Sequence, residues 1–183
     1  DVILYKNQLL IENLCWDHDQ IFIQMNLSKS HRYRVRFCAP HVETKWQRKV
    51  LGKAFTFILR ILDKILPTNK KIWFGSSWFS IRRREIEKII ENISYDDIAY
   101  FKRRLNPDEH FFQYMIYKTN LLSKVSVDGN KRYIVFDKNY NNGNNPIYQS
   151  FDNLINVSRE AKYFFARKVD LENQALFYKK VND

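Results

Sequence analysis

Residues 46 to 66 carry the longest helical periodicity in this sequence. Apolar side chains recur every three or four residues along one side of the segment, at Leu51, Phe55, Ile58, Leu62 and Ile65. Basic side chains fall largely outside that stripe, at Arg48, Lys49, Lys53, Arg60 and Lys64. The spacing predicts an amphipathic helix that stops at Pro67, because proline has no backbone N–H and disfavours helix in the residue before it.

Two arrangements satisfy this amphipathic pattern. The helix can pack its apolar stripe on the protein core and leave its basic side in water, which is the arrangement that the pattern favours. It can instead lie on an anionic membrane, where each basic residue near the surface contributes about 1 kcal/mol. The two arrangements predict the same helix and differ in what covers its apolar side.

The rest of the chain alternates short apolar runs with further helical patterns. β-Branched and aromatic residues predict strands over residues 20–25, 32–37 and 131–136. Helices are predicted from a Ser80 cap to Ile93, over 106–118, from a Ser150 cap to about Val157, and in the tail from Leu171. Polar connections are predicted over 94–104 and Asn139–Asn145. With 183 residues, 45% of them hydrophobic, the chain can bury a core.

The net charge of +11 favours an anionic partner: nucleic acid, an acidic membrane face or a phosphorylated small molecule. The basic residues are spread along the chain rather than gathered on one recognition helix, so nucleic acid is the alternative partner and not the expected one. Cys15 and Cys38 form no disulfide framework, which suits a reducing compartment. No apolar run is long enough to span a membrane.

Asp17 and Asp19 form a D-x-D pair that could hold a divalent metal against a nucleotide diphosphate, because hard cations prefer carboxylate oxygens. Two acids in a polar loop are also common without any metal. The histidines lack the spacing of a zinc site, so a zinc site built by the protein is not expected.

Two aromatic segments allow both a structural and a binding interpretation. Residues 32–37 alternate basic and apolar side chains, as in a solvated strand edge or a surface that stacks on sugars or bases. Residues 73–80 place Trp73, Phe74, Trp78 and Phe79 around a Gly-Ser-Ser turn. That pattern suits a tight corner of the core or a wall that stacks on sugars.

The stretch from Asn106 to Phe112 puts two acids at the start of a helix. Asn106 can cap the helix, Pro107 fits its first position, and Asp108 favours the positive end of the helix dipole. Glu109 falls at the capping-box position. Alternatively, the Glu109 carboxylate is a general base that faces a cleft, and then it cannot fold back on its own cap.

Three stretches in order, residues 74–80, 107–112 and 165–170, together resemble the core-2/I-branching β-1,6-N-acetylglucosaminyltransferase family, which includes the peptide O-xylosyltransferases. They read Phe-Gly-Ser-Ser-Trp-Phe-Ser, Pro-Asp-Glu-His-Phe-Phe and Phe-Ala-Arg-Lys-Val-Asp. Residues 132–136 are similar to the strand that precedes the family's variable loop. The composition, rich in Asn and Lys, looks like that of a bacterial member.

This resemblance implies the C-terminal part of a GT-A-type α/β fold, a mixed sheet flanked by helices, in an inverting glycosyltransferase. It implies Glu109 as the general base that takes the proton of the acceptor hydroxyl. It also implies that Lys168, with Arg167 beside it, stabilises the leaving diphosphate of a UDP-sugar of GlcNAc or xylose type. No metal and no other cofactor is expected, which argues against the D-x-D site.

For the acceptor glycan, the resemblance implies contacts from Lys29 and Arg32, in a segment similar to the family's basic acceptor segment, and from Trp78 and Phe136. Phe136 stands where some relatives carry a sugar-stacking tryptophan. A second basic residue of relatives has no counterpart, because Asn145 and Pro146 occupy that region. We expect Glu109, Trp78 and Lys168 to line one cleft.

Residues 1–69 do not resemble the family's nucleoside-binding first half, so we expect residues 1–183 to be the C-terminal catalytic portion of a longer enzyme. The expected location is the cytoplasm, with a peripheral contact at the inner face of a bacterial membrane through residues 46–66. For a eukaryotic member it would be the Golgi lumen.

Overall fold

The computed structural model describes residues 2–4, 19–27, 29–42, 44–47, 49–139, 145–160 and 162–182. The chain divides into two compact units. The larger unit is Gln20–Asn130, and the smaller unit combines Asp1–Asp19 with Lys131–Asp183. Asp17, one half of the predicted D-x-D pair, and residues 140–144 of the predicted loop lie outside the described residues.

The strands of both units are short. In chain order they are β1 (Val2–Ile3), β2 (Phe22–Ile23), β3 (Asn26–Leu27), β4 (Trp73–Phe74), β5 (Phe79–Ser80), β6 (Arg132–Ile134) and β7 (Phe165–Arg167). In the larger unit β2 pairs antiparallel with β5, and β3 pairs antiparallel with β4. The smaller unit has a sheet of order β1-β7-β6, antiparallel on one side of β7 and parallel on the other. This mixed sheet, with the helices, confirms the predicted mixed α/β class.

The helices account for most of the regular structure. They are α1 (Tyr33–Arg36), α2 (Val50–Ile65), α3 (Arg83–Glu91), α4 (Tyr95–Phe101), α5 (Phe111–Lys118), α6 (Phe151–Arg159) and α7 (Leu171–Asn182), with 3-10 turns at Pro107–Glu109 and Leu122–Lys124. The predicted Ser150 cap is confirmed, because its Oγ accepts a hydrogen bond from Asn153 N at 3.3 Å. None of the helices in the described ranges has the length and apolar character that crossing a bilayer requires.

Two predictions between residues 80 and 104 are wrong. Ser80 lies in β5, and α3 starts after Arg82 without a side-chain cap. The supposed connection over 94–104 contains α4, which begins with a capping box between Ser94 and Asp97. The serine and the acid three residues later are a standard start signal for a helix, so this element was readable from the sequence.

The predicted strand over 32–37 is also wrong, because residues 33–36 form α1. In a strand Arg32, Arg34 and Arg36 would share one face, whereas in a helix residues four apart share a face and the residue between them points away. Arg32 and Arg36 accordingly both bind the buried Asp63 of α2, at 2.8 and 3.0 Å. Arg34 is directed elsewhere.

The favoured arrangement of α2, with its apolar stripe packed on the core, is wrong as well. The side that α2 buries contains Gly52, Leu59 and Asp63. Of the predicted stripe, Leu51 is 62% exposed, Ile58 50% and Ile65 69%, and only Phe55, at its edge, is half-buried against the core. Gly52 is required at its position, because a Cβ there would lie 2.3 Å from the backbone oxygen of Trp46.

Each unit has its own buried apolar clusters. One cluster of the larger unit gathers residues of β2, α3 and α5, namely Ile21, Ile23, Ile89, Met115, Ile116 and Leu121. A second packs α1 against α2 through Tyr33, Ala39, Leu59 and Leu105. The core of the smaller unit joins its sheet to α6 and α7 through Val2, Leu4, Leu154, Val157, Ala166 and Phe177. The first cluster fixes α5, and with it the turn that precedes α5.

Candidate functional site

Glu109 ends a 3-10 turn that is separated from α5 by His110. Asn106 precedes the turn with φ 48° and ψ 57°, and its side chain makes no capping hydrogen bond. The expected asparagine cap and capping box are therefore wrong. The left-handed conformation, which asparagine tolerates better than most residues, tightens the chain so that Glu109 N donates to Asn106 O at 3.2 Å.

The Glu109 carboxylate is held by Arg34. A guanidinium N–H of Arg34 donates to Glu109 Oε2, and both side chains are partly exposed. Arg34 also lies over the Phe74 ring, with Cζ 5.7 Å from the ring centroid. Since Leu105 N donates to Arg34 O at 2.9 Å, α1 is fastened to the segment just before the turn. Glu109 is thus anchored by another element while remaining reachable by solvent.

The first two motifs meet in the larger unit. Gly75 N donates to Glu109 O at 3.0 Å. A Cβ at Gly75 would lie 1.7 Å from Gln24 O, so only glycine allows this close approach. Gln113 is buried in α5, and its Nε2 donates to Ser76 O at 3.0 Å. This bond holds the Gly-Ser-Ser turn against α5, directly after the 3-10 turn that contains Glu109.

His110 is buried beside the same turn. Its Nδ1 lies 2.7 Å from Trp73 O, and because a carbonyl only accepts, Nδ1 carries the proton. Burial is the main cause that lowers the pKa of His110 to about 4, and the nearby Arg34 lowers it further, against the Trp73 carbonyl, which raises it. His110 is therefore neutral at neutral pH and serves to connect α5 to β4.

A pH-dependent stability follows from His110. Its folded pKa of about 4 lies below the unfolded value near 6.5. Between these values the unfolded chain binds more protons, so stability is full above about pH 6.5 and falls as the pH decreases towards 4, by up to about 3 kcal/mol. We expect chemical unfolding curves at a series of pH values to display this loss. His110→Gln should flatten the dependence. An unchanged slope in His110→Gln would contradict the assignment.

The larger unit contains two cavities that are lined by neighbours of Glu109: Arg34 lines the first and His110 lines the second, whereas Glu109 is not among the lining residues of either. One, of about 510 Å³ and here called the basic groove, is lined by both polar and apolar side chains, including Lys29, His31, Arg34, Phe57, Arg60, Ile61 and Lys64. The other, of about 650 Å³ and here called the aromatic cavity, is lined by Trp73, Tyr100, Phe101, His110, Tyr114 and Tyr117, with Lys70 and Lys71. Among the described residues, the buried Trp73 Nε1 and His110 Nε2 of this cavity have no hydrogen-bond partner.

The predicted acceptor residues of the larger unit have different surroundings. Lys29 is exposed and lines the basic groove. Arg32 binds both carboxylate oxygens of Asp63, at 2.8 and 2.9 Å, so its guanidinium fastens α1 to α2. Trp78 is half-buried, and its backbone N donates to Ser76 Oγ at 3.2 Å. The sequence analysis did not single out Arg34. Only a helical conformation of residues 32–36 would have placed its side chain on a different face from those of Arg32 and Arg36.

The predicted diphosphate residues lie in the smaller unit. Lys168 follows β7, with its backbone bonded to Ile147 O and Gln149 N and its Nζ 5.7 Å from the centroid of the Tyr148 ring. Arg167 is half-buried at the end of β7. Phe136 is 57% exposed and forms a β-bridge with Pro146. The cleft shared by Glu109, Trp78 and Lys168 stays a prediction.

No group of three or more His, Cys, Asp or Glu side chains in the described ranges is arranged to hold a metal ion. Asp19 is described and exposed. Asp17, its neighbour in the D-x-D pair, lies outside those ranges, so the expectation that no metal binds there stays a prediction.

The family model described as Core-2/I-Branching enzyme matches residues 1–155. The match contains the first two motifs and also residues 1–69, while the third motif, with Lys168, lies beyond it. No curated protein and no solved structure matches the chain.

Proposed function

The chain belongs to the Core-2/I-branching enzyme family, which is a glycosyltransferase family, and on that premise we propose that it transfers a sugar from a UDP-sugar to a hydroxyl group of an acceptor glycan, with inversion at the anomeric carbon. The observation that carries the proposal is the Glu109 carboxylate, which is held by Arg34 instead of by its own helix start. A carboxylate that is anchored from one side and reachable by solvent suits a general base.

In the proposed reaction Glu109 accepts the proton of the acceptor hydroxyl. The oxygen attacks the anomeric carbon of the donor on the face opposite the diphosphate, and the bond between that carbon and the diphosphate oxygen breaks. Arg34 fixes the orientation of the Glu109 carboxylate before the acceptor arrives. We assign Arg34 to this positioning role because it contacts the base and not the reacting atoms.

The cavity lined by Arg34 and the cavity lined by His110 suit an acceptor glycan. The basic groove brings Lys29 to the same wall as Arg34. The aromatic cavity offers ring faces, which match the apolar faces of a sugar ring. Trp78 and Phe136 complete the proposed acceptor set. Arg32 lies next to it and acts through the packing of α1.

For the leaving group we propose Lys168, with Arg167, as the cations that stabilise the diphosphate without a metal. An ammonium in place before the reaction costs no reorganisation when negative charge develops, and one such group typically supplies about 3–4 kcal/mol. A GT-A-type fold for the whole enzyme belongs to the same proposal.

The experiment is a donor panel with the natural protein that carries this chain. We expect UDP release with UDP-GlcNAc or UDP-xylose, undiminished by a metal chelator. Lys168→Ala should lower kcat by about 10²–10³-fold. Lys162→Ala is a matched control, because its Nζ lies 5.4 Å from the Tyr163 ring centroid, much as Lys168 lies by Tyr148. Equal rates for both variants would refute the role of Lys168, and a panel without any active donor would refute the transferase proposal.

A further inference from the structure

The solvent-facing side of α2 is a broad apolar surface of the larger unit. Seven large apolar side chains of this helix are exposed: Val50, Leu51, Phe57, Ile58, Ile61, Leu62 and Ile65. Leu66, directly after the helix, is also exposed. A contiguous patch of this kind on a folded unit marks a binding surface. Because Leu59 of the same helix is buried in the core, the patch is a second apolar face and not a misplaced core.

The charges around this face have one sign. The helix carries a single acid, Asp63, which is buried and paired with Arg32 and Arg36. The exposed charged residues of the segment are basic, namely Lys49, Lys53, Arg60 and Lys64, followed by Lys70 and Lys71. With a helical repeat of 3.6 residues, Lys53, Arg60 and Lys64 fall along one border of the apolar face. Lysine and arginine side chains are long enough to keep their charged ends in water while their aliphatic parts lie beside the apolar face.

We propose that α2 docks on an anionic lipid surface, with its exposed apolar face in the boundary between acyl chains and head groups and its lysines on the lipid phosphates. An apolar face bordered by cations is the composition of an interfacial helix. A second copy of this chain would bring these cations against equal cations, which opposes self-association through the same face.

The docking has a consequence for the reaction that rests on the proposed function. Phe57 and Ile61 belong to the apolar face and also line the basic groove, together with Lys29 and Arg34. When α2 is docked, the basic groove therefore lies at the lipid surface. An acceptor glycan carried on a lipid could enter the groove there. Vesicle binding itself needs no catalytic activity, so its failure is distinguishable from failure of the transferase proposal.

The test is co-sedimentation with vesicles of phosphatidylcholine alone or mixed with phosphatidylglycerol. We expect binding that requires the anionic lipid and weakens with salt. Ile58→Asn with Ile65→Asn should weaken binding by roughly 100-fold or more, and Lys49→Gln with Lys53→Gln by about 30-fold. None of these four residues lines the basic groove.

Matched controls come from other parts of the larger unit. Ile90→Asn with Val127→Asn replaces two exposed apolar residues, and Lys88→Gln with Lys102→Gln replaces two exposed lysines. Both double variants should bind as the unaltered chain does. Absent binding, equal binding to neutral vesicles, or a dimer in lipid-free solution that the Ile58/Ile65 variant abolishes would each overturn the proposal.

Discussion

Replacing Glu109 by glutamine should lower kcat/KM of sugar transfer by about 10²–10⁴-fold. The amide occupies nearly the same space and can still accept a hydrogen bond from Arg34, but it cannot take up the proton of the acceptor hydroxyl. The fold should remain intact, because the Glu109 side chain is only partly buried and its backbone contacts with Gly75 and Asn106 do not involve the carboxylate. Initial rates of transfer in the natural protein, together with a thermal unfolding curve, measure both effects.

Asp108→Asn is the matched control for this experiment. It makes the same chemical change one residue earlier, at an exposed side chain on the same 3-10 turn. This variant should transfer sugar at a rate close to that of the unaltered protein. If Glu109→Gln and Asp108→Asn are equally active, Glu109 is not the base; if they are equally impaired, the turn acts through its overall charge.

Replacing Asp97 by alanine should lower the free energy of unfolding by about 3–5 kcal/mol. The buried carboxylate accepts hydrogen bonds from Ser94 N and Oγ at 2.8 and 2.6 Å, from the Tyr114 hydroxyl at 2.9 Å, and from Lys118. It thereby joins the start of α4 to two turns of α5. Its removal leaves these donors without their acceptor in a partly buried place. Urea unfolding at neutral pH measures the loss.

The pH dependence of the free energy of unfolding distinguishes the contribution of the Asp97 charge from that of its packing. Burial acts to raise the pKa of Asp97, but the hydrogen bonds from Lys118, Ser94 and Tyr114 outweigh it and hold the pKa well below its usual range. This contribution is present above the unfolded pKa near 3.9 and is lost as the pH falls below it. The alanine variant should lack that acid loss. Asp96→Ala, at the exposed neighbour, should change stability by less than about 1 kcal/mol and keep the acid loss.

For the 3-10 turn Pro107–Glu109, the motif and the local chemistry predicted the position of the carboxylate but not its partner. The sequence located Glu109 at the beginning of a helix, and the family match supports its motif. It did not reveal the left-handed Asn106 or the ion pair with Arg34, which is 75 residues away along the chain. A capping box and a distant arginine compete for the same carboxylate, and the position of α1 decided the outcome.

The alternation over residues 32–37 shows a second limit. Arginines at every second position satisfy a half-exposed strand, and they also satisfy one helical turn in which the first and last arginine share a face. The buried Asp63 selects the helix, because α1 brings both Arg32 and Arg36 to one carboxylate. That partner lies on a different helix, so the local pattern could not distinguish the two structures.

The sequence by itself determined the helices that carry a long periodicity or a serine cap, α2 and α6, because periodicity, prolines and caps act within a few residues, but it did not determine α1 or α4. It determined that residues 46–66 are amphipathic and that Pro67 ends them. Only the tertiary structure decided that the apolar stripe of α2 faces outwards. Gly52 lies against the Trp46 backbone, and Asp63 is buried and paired with Arg32 and Arg36. These contacts bury the side of α2 that carries Gly52 and Asp63, so the opposite side, with most of the apolar stripe, faces the solvent. Hydrophobicity favours burial of a face but does not specify which surface covers it.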